Sequence, residues 1–279
     1  MRRILAPVAL LLPMLVQAAP AHLVHDTDPT PVPGSSLMGA VATGEGPGGA
    51  VFFLVEKPAP GAFRGETQLW RCDASGQNPL LLRDRLVHAS DLIVFDGRLF
   101  FNGDDGIHGG EPWTSDGTAE GTRMIADVGP GALGSYPYTW VALGDAVYFV
   151  NHAVGNGRLW KTDLAASGAA PVFAVPSEDG GPSHVGFFLR SGDSLCGWFD
   201  DGIHGFEPWR TDGTAGGSRL LADIAPGGNG SIVGEMVDLD GVVLFAANEP
   251  DVRTTLWRAV PTEEVATRIH TVSPSGMRR

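Results

Sequence analysis

Cysteine, basic charge and long apolar runs are what this 279-residue sequence has little of. Its two cysteines, Cys72 and Cys196, are too few for the disulfide framework of a small secreted domain or for a cysteine zinc site. One bridge between them is compatible with an oxidising compartment; two free, partly buried thiols are the plainer expectation. Charged residues make up 18%, with 19 basic against 32 acidic and a formal net charge of −13. No Lys/Arg cluster is present to displace counterions from a phosphate backbone, so the sequence argues against a nucleic-acid partner. Anionic lipid surfaces are disfavoured for the same reason.

The apolar stretch from Ile4 to Val16 is about 13 residues long, too short to cross a bilayer. Arg2 and Arg3 precede it and Ala19-Pro20-Ala21 follows, the layout of a cleavable signal peptide over residues 1–21. The expected location is therefore outside the cytoplasm: periplasmic, cell-surface or secreted, with no membrane insertion after cleavage. Residues 22–34 read as a Pro-rich leader and residues 275–279 as a tail. Also missing are a GxSxG nucleophile elbow, a phosphate loop, a CxxC pair and an HExxH zinc helix. No apolar pattern with a helical period runs for any length.

What is abundant is glycine (39) and proline (21), the punctuation of short strands and tight turns. Tryptophan sets the period. Trp70, Trp113, Trp160, Trp209 and Trp257 are 43, 47, 49 and 48 residues apart, each preceded by Leu or Pro. Around Trp113 the chain reads Asp104-Asp105-Gly106-Ile107-His108-Gly109-Gly110-Glu111-Pro112-Trp113. Ninety-six residues on it reads Asp200-Asp201-Gly202-Ile203-His204-Gly205-Phe206-Glu207-Pro208-Trp209. The copies continue as Asp116-Gly117-Thr118 and Asp212-Gly213-Thr214.

Each unit divides into four strand-sized pieces, in the second unit Asp91–Phe95, Arg98–Phe101, Glu111–Ser115 and Thr122–Val128, separated by Asp-Gly pairs that suit tight hairpins. Four strands per 43–49 residues is the dimension of a propeller blade. The fold expected is all-β: a five-bladed β-propeller of four-stranded antiparallel blades over residues 35–274, with units at about 35–86, 87–133, 134–182, 183–230 and 231–274. The alternative is an incomplete fragment of a larger propeller. Pro112 and Pro208 cannot donate a ladder hydrogen bond, which predicts an edge, first position or bulge for them.

The segments Glu111 to Thr118 and Glu207 to Thr214 resemble the ELWxxDGT repeat, a family found mainly in secreted bacterial proteins. Pro stands where that family has Leu, and Gly217-Ser218 replaces the Gly-Thr seen at Gly121-Thr122. The other units keep the apolar-Trp pair and lose Asp-Gly-Thr. The resemblance implies a propeller-like repeat domain and carries over no catalytic residue.

Asp104, Asp105 and Glu111, repeated as Asp200, Asp201 and Glu207, are a candidate calcium-binding set, because hard cations take several oxygens from a bent loop. The same residues serve equally as turn formers, and no other cofactor is indicated. Asp91, Asp145, Asp193 and Asp238 are candidate acids for an axial site. Three functions are weighed: a binding or interaction module for a protein or glycan, a glycan-active hydrolase or lyase using carboxylates at the axial channel, and a purely structural repeat whose function lies in variable loops such as Lys57 to Glu66.

Overall fold

The computed structural model describes residues 36–271 apart from 44–48, 58–65, 153–156, 178–179, 181–182, 229 and 251–252. The expected signal peptide, leader and tail, residues 58–65 and Asn229 lie outside the described residues.

The described residues form twenty strands in five successive four-stranded meanders, the third and fourth bridged by the Arg158–His184 pairing. The first is β1 (Ser36–Ala42), β2 (Ala50–Lys57), β3 (Glu66–Asp73) and β4 (Leu80–Leu86). The second is β5 (His88–Phe95), β6 (Arg98–Asp104), β7 (Gly110–Ser115) and β8 (Arg123–Met124). The third is β9 (Tyr138–Leu143), β10 (Ala146–Asn151), β11 (Arg158–Asp163) and β12 (Ala169–Pro171). The fourth is β13 (His184–Ser191), β14 (Ser194–Asp200), β15 (Phe206–Thr211) and β16 (Arg219–Leu220). The fifth is β17 (Ile232–Leu239), β18 (Val242–Glu249), β19 (Arg253–Val260) and β20 (Val265–Thr271). Pairing within each is antiparallel, and one 3-10 turn, Pro261–Glu263, is the only described helix. The first strand of each unit neighbours the first strand of the next, so these strands lie innermost and the fourth strands outermost. This is a β-propeller.

A period of two in each strand gives every blade two apolar faces, and stacking buries both in the second, third and fourth blades and the inward one in the first and fifth. Four cores result, one at each seam between consecutive blades. The residue pair at each tryptophan shows how. Leu69, Pro112, Leu159 and Pro208 are buried facing the following blade. The next residue turns the other way: Trp113, Trp160, Trp209 and Trp257 each join the core shared with the preceding blade. Removing such a ring removes about 3–5 kcal/mol in a well-packed core.

Two sequence expectations need correction. Pro112 is the third residue of an interior strand, opposite Asn102, not an edge or bulge residue. Its carbonyl accepts the Ile125 amide at 2.7 Å, so its nitrogen also points toward β8, where that strand has just ended and no ladder bond is forfeited. Pro208 repeats this with the Leu221 amide at 2.9 Å. The fourth piece of the second unit is also shorter than expected. Only Arg123–Met124 pairs as strand, because the chain beyond it is captured as the connector to the third blade.

Candidate functional site

The second and fourth blades carry the same two-part construction at the end where connectors run between blades. The first part is the loop joining the second and third strands. Asp104 Oδ1 accepts the Gly106 amide at 2.7 Å, and Asp105 Oδ1 accepts the amides of Ile107 and His108 at 2.9 and 3.0 Å. Asp105 Oδ2 meets His108 Nδ1 at 2.9 Å. In the fourth blade Asp200 accepts Gly202, Asp201 accepts Ile203 and His204, and Asp201 Oδ2 meets His204 Nδ1 at 2.7 Å. These bonds leave one side chain at each tip without cover: Ile107 is 69% exposed and Ile203 70%.

The second part is the connector. Glu111 is fully buried, and burial pushes its carboxyl up from the usual range, opposed by the hydroxyl of Ser135 and the amides of Gly129 and Val128. Its oxygens accept those three donors at 2.6, 2.9 and 3.0 Å. Glu207 does the same with Ser231, Ala225 and Ile224 at 2.5, 2.9 and 3.2 Å. Loop and connector are locked together by glycine. Gly109 has φ +71°, and a Cβ on it would lie 2.6 Å from the Gly134 nitrogen; Gly205, at φ +70°, stands in the same relation to Gly230. Leu133, 83% exposed, and Tyr136 are displayed on the connector beside the second-blade loop.

Electrostatics keep the loops ionised. Partial burial opposes the charge on Asp105 and Asp201, but the amide and ring of the histidine and the isoleucine amide outweigh it, holding both carboxyls below the usual range. The hydrogen bond to the aspartate raises His108 and His204, with Asp127 and Glu111, or Asp223 and Glu207, adding further negative charge.

The Asp-Gly-Thr segments lie at the other end of the third strand and close its turn. Asp116 Oδ1 accepts the Thr118 amide and hydroxyl at 2.9 and 2.7 Å; Asp212 repeats this with Thr214 at the same distances. Gly117 and Gly213 supply φ +90°. Thr122 Oγ donates to the Thr118 carbonyl, and Ser218 Oγ makes the same bond to Thr214.

The candidate calcium residues are thus divided. Asp104 and Asp105 shape the loop while Glu111 holds the connector, and the fourth blade divides Asp200, Asp201 and Glu207 likewise. Among the described residues no group of three or more His, Cys, Asp or Glu side chains is arranged to hold a metal. Of the candidate axial acids, Asp145 and Asp193 sit in first-hairpin turns equivalent to Asp96-Gly97. Asp91 and Asp238 do lie on innermost strands, Asp91 with φ +56° in a cleft of about 270 Å³ with His88 and Ser90. Ser135 and Ser231 were missed by the sequence reading. Their signal is Pro130-Gly131…Gly134-Ser135, repeated 96 residues later as Pro226-Gly227…Gly230-Ser231.

No protein-family model matches the chain, and no curated protein matches it. Solved structures do. A puromycin hydrolase S511A mutant complexed with PGG superposes with a TM-score of 0.56 at 14% identity, over 81% of this chain and 37% of that one. A Mycobacterium tuberculosis puromycin-hydrolyzing peptidase gives 0.53 at 13%, over 80% and 36%. The GH74 xyloglucanase from Xanthomonas campestris gives 0.50 at 16%, over 79% and 36%. The chain is a β-propeller like these. It spans little more than a third of their length, and at such identities the likeness is one of fold alone.

Proposed function

We propose that the protein is an exported binding module that engages a protein partner through the connector end of the second and fourth blades. The observation carrying this reading is the pair of loops Asp104–Gly109 and Asp200–Gly205, each frozen by its own aspartates and each presenting an isoleucine to solvent. A loop ordered in advance loses little entropy on binding. An exposed β-branched side chain ringed by carboxylate and imidazole offers an apolar anchor with a polar rim, the anatomy of a protein interface. Leu133 and Tyr136 extend the apolar surface in the second blade. Two equivalent loops give a bivalent presentation.

The test is retention of envelope or culture-fluid proteins on immobilised chain against an Ile107→Asp/Ile203→Asp double variant. A species held by the native chain and lost by the variant supports the reading; equal retention by both rejects it. Asp91 keeps a second reading alive, a glycan-active hydrolase or lyase acting in the cleft beside His88 and Ser90. Polysaccharide turnover abolished by Asp91→Asn would favour it over the binding module.

A further inference from the structure

Four seams join the five blades, and the fold leaves one half-seam at each end. On the face toward the following blade, Phe52, Phe100, Tyr148 and Cys196 occupy one repeated position and are 1%, 0%, 4% and 0% exposed; Leu244 holds that position in the fifth blade and is half-exposed. Leu256 likewise stands half-exposed where Leu69, Pro112, Leu159 and Pro208 are buried. On the face toward the preceding blade, Ser115, Thr162, Thr211 and Ala259 are buried, whereas Cys72 of the first blade is half-exposed. Phe53 is half-exposed where Phe101, Phe149 and Phe245 are buried. No buried core joins the fifth blade to the first among the described residues, and Leu37, Val237 and Leu239 face solvent on their innermost strands.

The polar trim matches as well. Across each seam a side chain of one blade reaches the turn between third and fourth strands of the next. Arg71 lies against Gly117, Arg123 donates to the Ala166 carbonyl at 2.8 Å, the Tyr148 hydroxyl rests on Gly213, and Arg210 pairs with Glu264 at 3.2 Å. On the fifth blade Arg258, the counterpart of Arg71 and Arg210, is exposed and unpaired among the described residues. The corresponding turn of the first blade is Asp73–Asn78, whose half-exposed aspartate is fixed by Ser75, Gln77 and Asn78.

We propose that a second copy of this chain places its first blade on the fifth blade of its neighbour, head to tail, rebuilding an inter-blade seam with Arg258 against the Asp73 turn. The faces differ, so the contact is heterologous and one junction leaves both outer faces free for more.

Sedimentation of the full chain across a concentration series tests this, with mass expected to rise past the dimer. Leu37→Asp breaks one face and Leu239→Asp the other, both at side chains already in solvent (68% and 55% exposed), so folding is retained. Each variant alone is expected to stay monomeric, and an equimolar mixture to form a dimer that grows no further. Arg258→Glu should raise the dissociation constant by about tenfold or more. Maleimide labelling of Cys72 should slow on association. Native chain that stays monomeric throughout, or variants that associate alone or fail to pair when mixed, overturns the proposal. A monomer with unreactive Cys72 overturns it too, by indicating closure of the fifth blade on the first within one chain.

Discussion

Glu111 and Ser135, twenty-four positions apart, meet in a fully buried hydrogen bond of 2.6 Å that ties the third strand of one blade to the end of the connector, just before the next blade begins at Tyr138. Glu207 and Ser231 repeat it. The carboxylate binds three donors of the connector, two early in it and one at its end, so it fixes where the next blade begins. Glu111→Ala strands those buried donors and should cost about 2–4 kcal/mol. Ser135→Ala removes one bond of three and should cost about 1–2 kcal/mol. A double-mutant cycle by urea denaturation checks the pair: the costs should combine to clearly less than their sum.

In four of the five repeats the residue two before the tryptophan decides how its indole is treated. Where it is Gln68 or Thr255, it accepts the N–H of Trp70 or Trp257 at 3.0 or 2.8 Å. Where it is Glu111 or Glu207, the carboxylate is turned to the connector, and the N–H of Trp113 or Trp209 is buried without a partner. Trp113→Phe and Trp209→Phe therefore lose volume but no hydrogen bond, whereas Trp257→Phe also gives up the indole's bond to Thr255, whose hydroxyl keeps Glu249 and the Ala247 carbonyl as acceptors. The first two should cost less than Trp257→Phe by about 1 kcal/mol, read from thermal melts of the three variants.

How far this was legible in the sequence follows from what repeats. The tryptophan period and the turn pairs reported strand number, antiparallel order and propeller class, because each reflects backbone geometry local to one blade. The direction of the Leu/Pro-Trp pair, one residue into each neighbouring seam, needed the stacking itself. Asp105 and Glu111 looked like one acidic cluster because six positions separate them in the chain; the hairpin sends one into a loop and the other to the connector. Ser135 escaped notice because a serine in a Gly-rich linker resembles any turn residue until its carboxylate is found.

Stability should depend on pH through both kinds of group. Burial raises Glu111 and Glu207, so the native state holds more protons than the unfolded chain just above the ordinary glutamate value, and stability falls as pH rises through that window. The histidines, raised by their aspartates, contribute fully below their unfolded value near 6.5 and lose that contribution as pH rises through the folded one. The lowered aspartates, Asp73, Asp105, Asp116, Asp163, Asp201 and Asp212, act the other way and add stability as pH rises through the ordinary aspartate value. Above that range, from about pH 5 to 9, denaturant midpoints should thus fall in two stages. Asp105→Asn/Asp201→Asn should flatten the upper stage alone.

Calcium offers a direct check on the loops. Their oxygens already accept backbone amides, with Asp105 Oδ1 taking two and Oδ2 the imidazole. A bound ion would have to displace or share those bonds. The melting midpoint is therefore expected to be the same in EDTA and in millimolar calcium; a rise of several degrees with calcium, lost in Asp105→Asn/Asp201→Asn, would reassign the loops as cation sites.

The Asp-Gly-Thr turn explains why one departure between the repeats is silent. Thr122 and Ser218 each donate to the carbonyl of the motif threonine, and each meets a buried hydroxyl, Ser115 at 2.7 Å or Thr211 at 2.8 Å. The hydroxyl is the shared requirement and the extra methyl of Thr122 is not. Thr122→Ser should therefore change stability by less than about 0.5 kcal/mol, whereas Thr122→Ala leaves the buried Ser115 hydroxyl short of its partner and should cost about 1–3 kcal/mol. Ser218→Thr and Ser218→Ala in the fourth blade should give the same ordering. Equal losses for the serine and alanine variants of Thr122 would show that packing of the methyl, and not the hydroxyl relay, holds the turn.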